Sequence, residues 1–267
     1  MEVASALDLA ATDASVLHAS NKLTVLLQPC DVVARVAFAG REALQAELEI
    51  ARQLADIGSP VARPEPRVEP CVHERDGFAV TLWTHYAQSR ELAPPDYADA
   101  LARLHAGMAR VEITAPHFTD RVTAARRLVE SPRRTPDLGE ADRELLRRAL
   151  DDPPRATGEQ LLHGEPHPGN VLMSERGPVF IDFETCCRGP VEFDVAHVPE
   201  AVSERYPGFD RDLLQECRLL VIAMVAAWRW DPGDRFPHRD RARQALLGAM
   251  RSGPPWPALD AVMTAGG

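Results

Sequence analysis

The stretch LLHGEPHPGNVLMSERGPVFIDFETCCRGPVEFDVA, residues 161–196, sets a His, several carboxylates and an Asn around two β-like runs, and its reading decides the fold. Gly164, Pro166, Pro168 and Gly169 break any helix across the loop that carries Glu165 and Asn170. Residues 170–173, the turn at Glu175-Arg176-Gly177 and residues 178–181 read as a short hairpin. Its open end brings Asn170 and Asp182 together. A hard cation such as Mg2+ takes oxygen ligands and keeps several waters, so one carboxylate and one amide oxygen beside nucleotide phosphates suffice to hold it. Glu165 supplies a second carboxylate in the same cleft, where an attacking hydroxyl must be oriented and relieved of its proton. Catalytic carboxylate, metal-binding amide and metal-binding carboxylate form the layout of a phosphoryl-transfer site.

Two rival chemistries share part of this pattern. His163-x-Glu165 opens the zinc-deaminase signature, but that signature needs a downstream Pro-Cys-x-x-Cys, and the chain offers Thr185-Cys186-Cys187-Arg188. His163 and His167 have the spacing of a helical zinc pair, yet the intervening Gly164 and Pro166 oppose a helix and Glu165 is misplaced for H-E-x-x-H.

HGEPHPGN, then IDFE, then GPVEFDVA together resemble the aminoglycoside phosphotransferase family of small-molecule kinases, distant relatives of protein kinases. The resemblance implies an α+β, two-lobed protein-kinase-like fold: a small antiparallel-sheet N-lobe over residues 1–85 and a larger, mainly helical C-lobe over 86–267. It assigns Glu165 to the catalytic-carboxylate position, with His163 bracing the loop, Asn170 and Asp182 to magnesium, and Asp194 to a structural carboxylate. The family usually shows HGD where this chain has His163-Gly164-Glu165. The extra methylene moves the carboxylate outward, and a displacement of order 1 Å costs roughly a hundredfold in rate when nothing compensates.

Upstream, residues 22–28 and 31–38 read as two strands separated by Pro29-Cys30. In VVARVAF the resemblance puts Arg35 on the third strand, facing the α- and β-phosphates. Residues 41–57 carry apolar positions at helical spacing and stop at Gly58-Ser59-Pro60. There Glu47 matches the helix carboxylate that pairs with the strand cation, while Glu42 and Glu49 face water. Neither G-x-G-x-x-G nor a Walker loop occurs; Ser20-Asn21-Lys22 is the candidate nucleotide loop, with Asn21 at its centre. The apolar run 78–84 leads through Trp83 and His85 toward Pro94-Pro95, like the interlobe hinge whose backbone meets the purine in the resembling enzymes.

Residues 97–108, 139–150, 213–230 and 239–250 read as C-lobe helices, and the uninterrupted apolar run 219–228 is far shorter than the roughly 20 residues that span a bilayer. The chain has 267 residues, 45% apolar and 26% charged, enough for a large core divided around one cleft. Five cysteines without C-x-x-C point to reduced thiols rather than a disulfide framework. No basic n-region with an apolar core opens the chain, so a cytoplasmic location is expected. A net charge of −10 opposes nucleic-acid binding and would attract a cationic substrate. The expected activity is Mg-dependent transfer of the γ-phosphate of ATP or GTP to a hydroxyl of a small molecule, an aminoglycoside-like antibiotic among the candidates. Two alternatives stand beside it: a kinase for a sugar or amino-alcohol metabolite, and a catalytically impaired pseudokinase that binds nucleotide as a regulatory module.

Overall fold

A computed structural model describes residues 1–19, 22–38, 41–87, 91–155 and 158–265. The N-terminal part runs α1 (Glu2–Ala6), β1 (Ala11–Ala19), β2 (Leu23–Pro29), β3 (Val32–Ala37), α2 (Arg41–Asp56), β4 (His73–Arg75) and β5 (Phe78–Thr84). Its strands form one antiparallel sheet in the order β1-β2-β3-β5-β4. Val, Leu and Ala dominate β2, β3 and β5, which suits side chains packed on a pleated surface. The long strand β1 is an addition to the sequence expectation: ATDASVLHA lacks an apolar face, and all but its first residue are exposed. Pairing with β2 holds it in place.

Helix α2 lies against the sheet with Leu44, Leu48, Ala51 and Leu54 buried. It ends where the sequence predicts, at Gly58, whose φ of +79° suits a residue without Cβ. Gly58 N–H donates to Ala55 O (3.0 Å) and Ser59 N–H to Leu54 O (2.9 Å), the paired bonds of a Schellman cap.

The C-terminal part begins with α3 (Pro94–Met108), α4 (Phe118–Val129) and α5 (Glu140–Asp151). Short pairs follow: β6 (Gln160–Leu162) with β9 (Cys187–Gly189), and β7 (Val171–Ser174) with β8 (Gly177–Phe180). The chain then builds α6 (Val191–Val195), α7 (Glu200–Ser203), α8 (Arg211–Arg229), α9 (Arg239–Ser252) and α10 (Leu259–Ala265). Helix α8, apolar on most faces, is packed by α4, α5, α6 and α9. No helix among the described residues is long and apolar enough to cross a membrane. The architecture is thus an antiparallel N-terminal sheet with a helical C-terminal region.

One core runs through both parts. Phe180 of β8 is fully buried against Tyr97 of α3. The same residue's N–H donates to Pro60 O (2.9 Å), and its carbonyl accepts from Ala62 N–H (2.8 Å). The segment after α2 is therefore tied to the hairpin that carries the candidate site.

Candidate active site

Between the sheet and the β7–β8 hairpin lies a cleft of about 580 Å³, within the range of small-molecule and cofactor sites. Val33 and Arg35 of β3 and Trp83 of β5 line one side, Leu172 and Ile181 the other, with Asn170 and Asp182 at the mouth. Trp83 is buried, its indole N–H donating to Thr81 Oγ1 (2.9 Å), while His85 sits at the rim with Nδ1 2.7 Å from Asp31 Oδ1. Both line the cleft. Asn21, the centre of the expected nucleotide loop, lies outside the described residues.

Arg35 points into the cleft from β3 and links three elements. Nη1 donates to Glu47 Oε1 of α2, and Nη2 donates to Asp182 Oδ1 (2.8 Å). Glu47 is the fully buried acid of its helix, whereas Glu49 is exposed and pairs with Arg52. Burial opposes the charge on Arg35, but Glu47 and Asp182 outweigh it and raise its pKa. Asp182 is likewise pushed up by burial and pulled further down by Arg35 and Lys22, so it stays ionised below the ordinary carboxylate range. Its φ of +68° is left-handed, a conformation Asp tolerates better than most residues, and it turns the chain from β8 into the following 3-10 turn.

Lys22 also enters this cluster. Its ammonium lies 2.5 Å from Glu184 Oε2 and 3.4 Å from both Asp182 Oδ1 and Glu47 Oε2. Burial works against the charge, but Glu47 and its neighbours hold the pKa above its ordinary value.

The loop before the hairpin is braced from below. Asp194, fully buried on α6, accepts from His163 N–H and Gly164 N–H, each at 2.8 Å, and from His105 Nε2 at 2.9 Å. Burial disfavours its charge, yet these donors and the nearby histidines keep it ionised with a lowered pKa. His163 is itself buried, Nε2 bonding Ile181 O (3.0 Å), with its ring near Phe180 and Phe183. Burial lowers its pKa, so it is a neutral strut that ties the loop to the hairpin end. Gly164, at φ +88°, passes so close to Thr185 that a Cβ would fall 2.0 Å from its carbonyl oxygen. Asn170 Nδ2 donates to Glu165 O (2.9 Å), a bond that does not use its amide oxygen.

Glu165 has a partner that the sequence does not signal. Arg121, in the first turn of α4, donates from Nη2 to Glu165 Oε1 and from Nη1 to Gly164 O (3.1 Å). Its guanidinium stacks 5.1 Å from the Trp228 ring on α8. Asp120 fixes the start of α4 by accepting from His117 N–H (3.1 Å). Burial pushes the Glu165 carboxyl up, but Arg121 more than offsets it and holds the group below its ordinary value. No motif contains Arg121; the only hint is the longer Glu at this position.

Asn170 and Asp182 offer an all-oxygen donor pair at the cleft mouth, which fits Mg2+. Among the described residues no group of three or more His, Cys, Asp and Glu could hold a metal ion, so the fit is to a cation shared with phosphate rather than to a protein cage. Cys186 and Cys187 are buried, and burial raises both thiols, which makes them packing residues.

A sheet with a cation–carboxylate pair facing a braced loop and hairpin defines a protein-kinase-like phosphotransferase. The sequence profile of the phosphotransferase enzyme family, APH, matches residues 16–246, and the chain belongs to that family of small-molecule kinases. No curated protein matches the sequence. Among solved structures, amicoumacin kinase hAmiN in complex with AMP-PNP, Ca2+ and Ami aligns with a TM-score of 0.68 at 10% identity, over 96% of this chain and 94% of that one. Choline kinase LicA from Streptococcus pneumoniae aligns at 0.66 and 17% identity, covering 94% and 97% of the two chains. The GDP and kanamycin complex of APH(2")-IIia aligns at 0.63 and 15% identity, covering 97% and 93%. At such identities the likeness is one of fold.

Proposed function

We propose that this kinase transfers the γ-phosphate of ATP or GTP to a hydroxyl of a small molecule in the cytoplasm, with Mg2+ held by Asn170 and Asp182. The observation that carries the reading is the convergence of Arg35, Asn170 and Asp182 on one cleft beside the loop of Glu165. When bound, the metal supplies positive charge to the phosphate oxygens. Arg35, pinned between Glu47 and Asp182, presents a fixed charge to the α- and β-phosphates. The backbone of β5 around Trp83 and His85 takes the base. Glu165 holds the acceptor hydroxyl in line and receives its proton, with one carboxylate oxygen engaged by Arg121 and the other directed to the acceptor. His163 and Asp194 keep the loop fixed through that event. Catalysis is then positioning and charge neutralisation rather than covalent chemistry.

The fold neighbours are named with chemically different compounds, as an amicoumacin kinase, a choline kinase and a kanamycin complex, and the cleft sequence does not select among them. The net charge of −10 favours a cationic acceptor. Thermal unfolding of the purified protein with ATP and with GTP, each with and without Mg2+, tests the nucleotide half of the reading. A ligand at a hundredfold its Kd adds about 2.7 kcal/mol and raises Tm by roughly 5–10 °C. A magnesium-dependent rise that Asp182→Ala removes supports the site. No rise with either nucleotide, confirmed by calorimetry, overturns it.

A further inference from the structure

Arg35 and Lys22 both reach the carboxylates of the cleft, but they are held differently. The guanidinium of Arg35 is fixed at both ends, Nη1 on Glu47 and Nη2 2.8 Å from Asp182 Oδ1. Lys22 shares that Asp182 oxygen at 3.4 Å, is equally distant from Glu47, and makes its close contact, 2.5 Å, with Glu184. Glu184 is 39% exposed, in the short turn after Asp182. An ammonium on a four-carbon stem next to an exposed carboxylate can be withdrawn by a small rotation, whereas a planar guanidinium clamped by two carboxylates cannot.

Three further observations bear on where that ammonium goes. Lys22 lines the same cleft as Arg35, Asn170 and Asp182. Glu47, Asp182 and Glu184 surround Lys22 and Arg35, so these two side chains are the cluster's hydrogen-bond donors to an entering polyanion. And the chain has neither G-x-G-x-x-G nor a Walker motif, which makes cationic side chains candidate donors to the phosphates. A divalent cation at Asp182 would also displace a lysine from the oxygen it now shares.

Resting on the nucleotide-dependent reading above, we propose that Lys22 is a second polyphosphate-binding cation of this kinase. Its ammonium pairs with Glu184, Asp182 and Glu47, and it turns to the terminal phosphates when a nucleoside triphosphate binds. Arg35 is then the fixed cation of the site and Lys22 the movable one.

Calorimetric titration of the wild-type protein, Lys22→Met and Lys22→Arg with adenosine, ADP and ATP in Mg2+, and with the guanine series in parallel, tests the assignment. Circular dichroism of each variant checks that it is folded, and Lys22→Arg keeps a charge in place should Lys22→Met fail to fold. The expected result is graded by phosphate number: adenosine affinity unchanged in Lys22→Met, ADP weakened modestly, ATP weakened about tenfold or more, with Lys22→Arg recovering most of the loss. ATP binding to Lys22→Met as tight as wild type overturns the proposal, as does an equal loss for adenosine and ATP, which would mean that Lys22 only supports the fold of the cleft. The wild-type titrations separate the two levels. Wild-type protein that binds none of the series sinks the nucleotide reading and this proposal with it; wild type and Lys22→Met that bind ATP alike sink only the role of Lys22.

Discussion

Glu165 is where single-residue chemistry departs most from the family pattern, and Arg121 is what the structure sets against that departure. The extra methylene carries the carboxylate outward, and Arg121 holds one of its oxygens while also holding Gly164 O. An Asp at this position, one methylene shorter, would hold its carboxylate further from the guanidinium. Arg121→Met should therefore lower kcat by about tenfold or more, leaving KM for nucleotide unchanged, because the freed Glu165 samples unproductive rotamers. In a Glu165→Asp background, the same change should cost less than about threefold, since the clamp is already broken. Product formation measured in the four combinations decides the matter. Equal costs in both backgrounds would reduce Arg121 to a packing partner of Trp228. This residue also marks the limit of reading a site from sequence. Glu165, Asn170 and Asp182 are visible because motif spacing brings them together, and Glu47 is set apart from Glu42 and Glu49 by the family resemblance. Arg121 makes its contacts between distant elements, and no local pattern encodes them.

At the scale of elements, the legible ones carry their own signals. Helix α2 has apolar periodicity and a glycine stop, and the β7–β8 hairpin has a Gly177 turn between two apolar runs. Strand β1 and helix α4 were not legible, for different reasons. The strand has no buried face to produce alternation, whereas α4 carries an apolar stripe, with Phe118, Val122, Ala125, Leu128 and Val129 buried, but opens on a cap of His117 and Asp120 rather than on one of the usual Ser, Thr, Asp or Asn caps. The loop between β6 and β7 depends on Gly164, which combines a left-handed φ with a backbone approach that has no room for a methyl group. The clash is with the Thr185 carbonyl, a backbone atom that no rotamer change can move aside. Gly164→Ala should destabilise the protein by at least about 2 kcal/mol and abolish turnover, because the loop must shift and carry Glu165 and Asn170 with it. Urea unfolding beside a turnover assay checks both. A variant of native stability and activity would show that the approach to Thr185 is not required. Gly177→Ala, whose Cβ would meet nothing within 4 Å, is the control for φ alone.

Across the whole molecule, the sheet and helical parts are held together by the Phe180 hydrogen bonds to residues 60 and 62 and by charged groups buried on either side of the cleft. Burying ionisable groups in a fixed protonation state makes stability depend on pH. His197, 5% exposed between α6 and the Glu165 loop, bonds Phe193 O through Nδ1 at 2.8 Å. Burial lowers its pKa from the ordinary 6.5 to about 4, with Glu165 and Asp194 opposing the drop. Between those two values the unfolded chain binds a proton that the folded chain refuses, so stability falls as the pH falls. The contribution is complete above pH 6.5 and is lost by about pH 4. Its size is at most about 3–4 kcal/mol, from roughly 1.36 kcal/mol per pKa unit. Asp194, Glu165 and Asp182, all held below their ordinary values, add a second loss at more acid pH as they are protonated. The two stages can be separated with His197→Asn, which cannot take up the proton in either state. At pH 7 the variant should be less stable than wild type, having lost packing against Phe193. As pH falls from 7 to 4, wild type should lose stability faster than the variant, and the gap between them should close by up to about 3–4 kcal/mol in urea unfolding. A gap that stays constant over that range would mean that His197 takes up its proton in the folded protein near its ordinary value, and that the buried space beside Glu165 admits charge more readily than its packing implies.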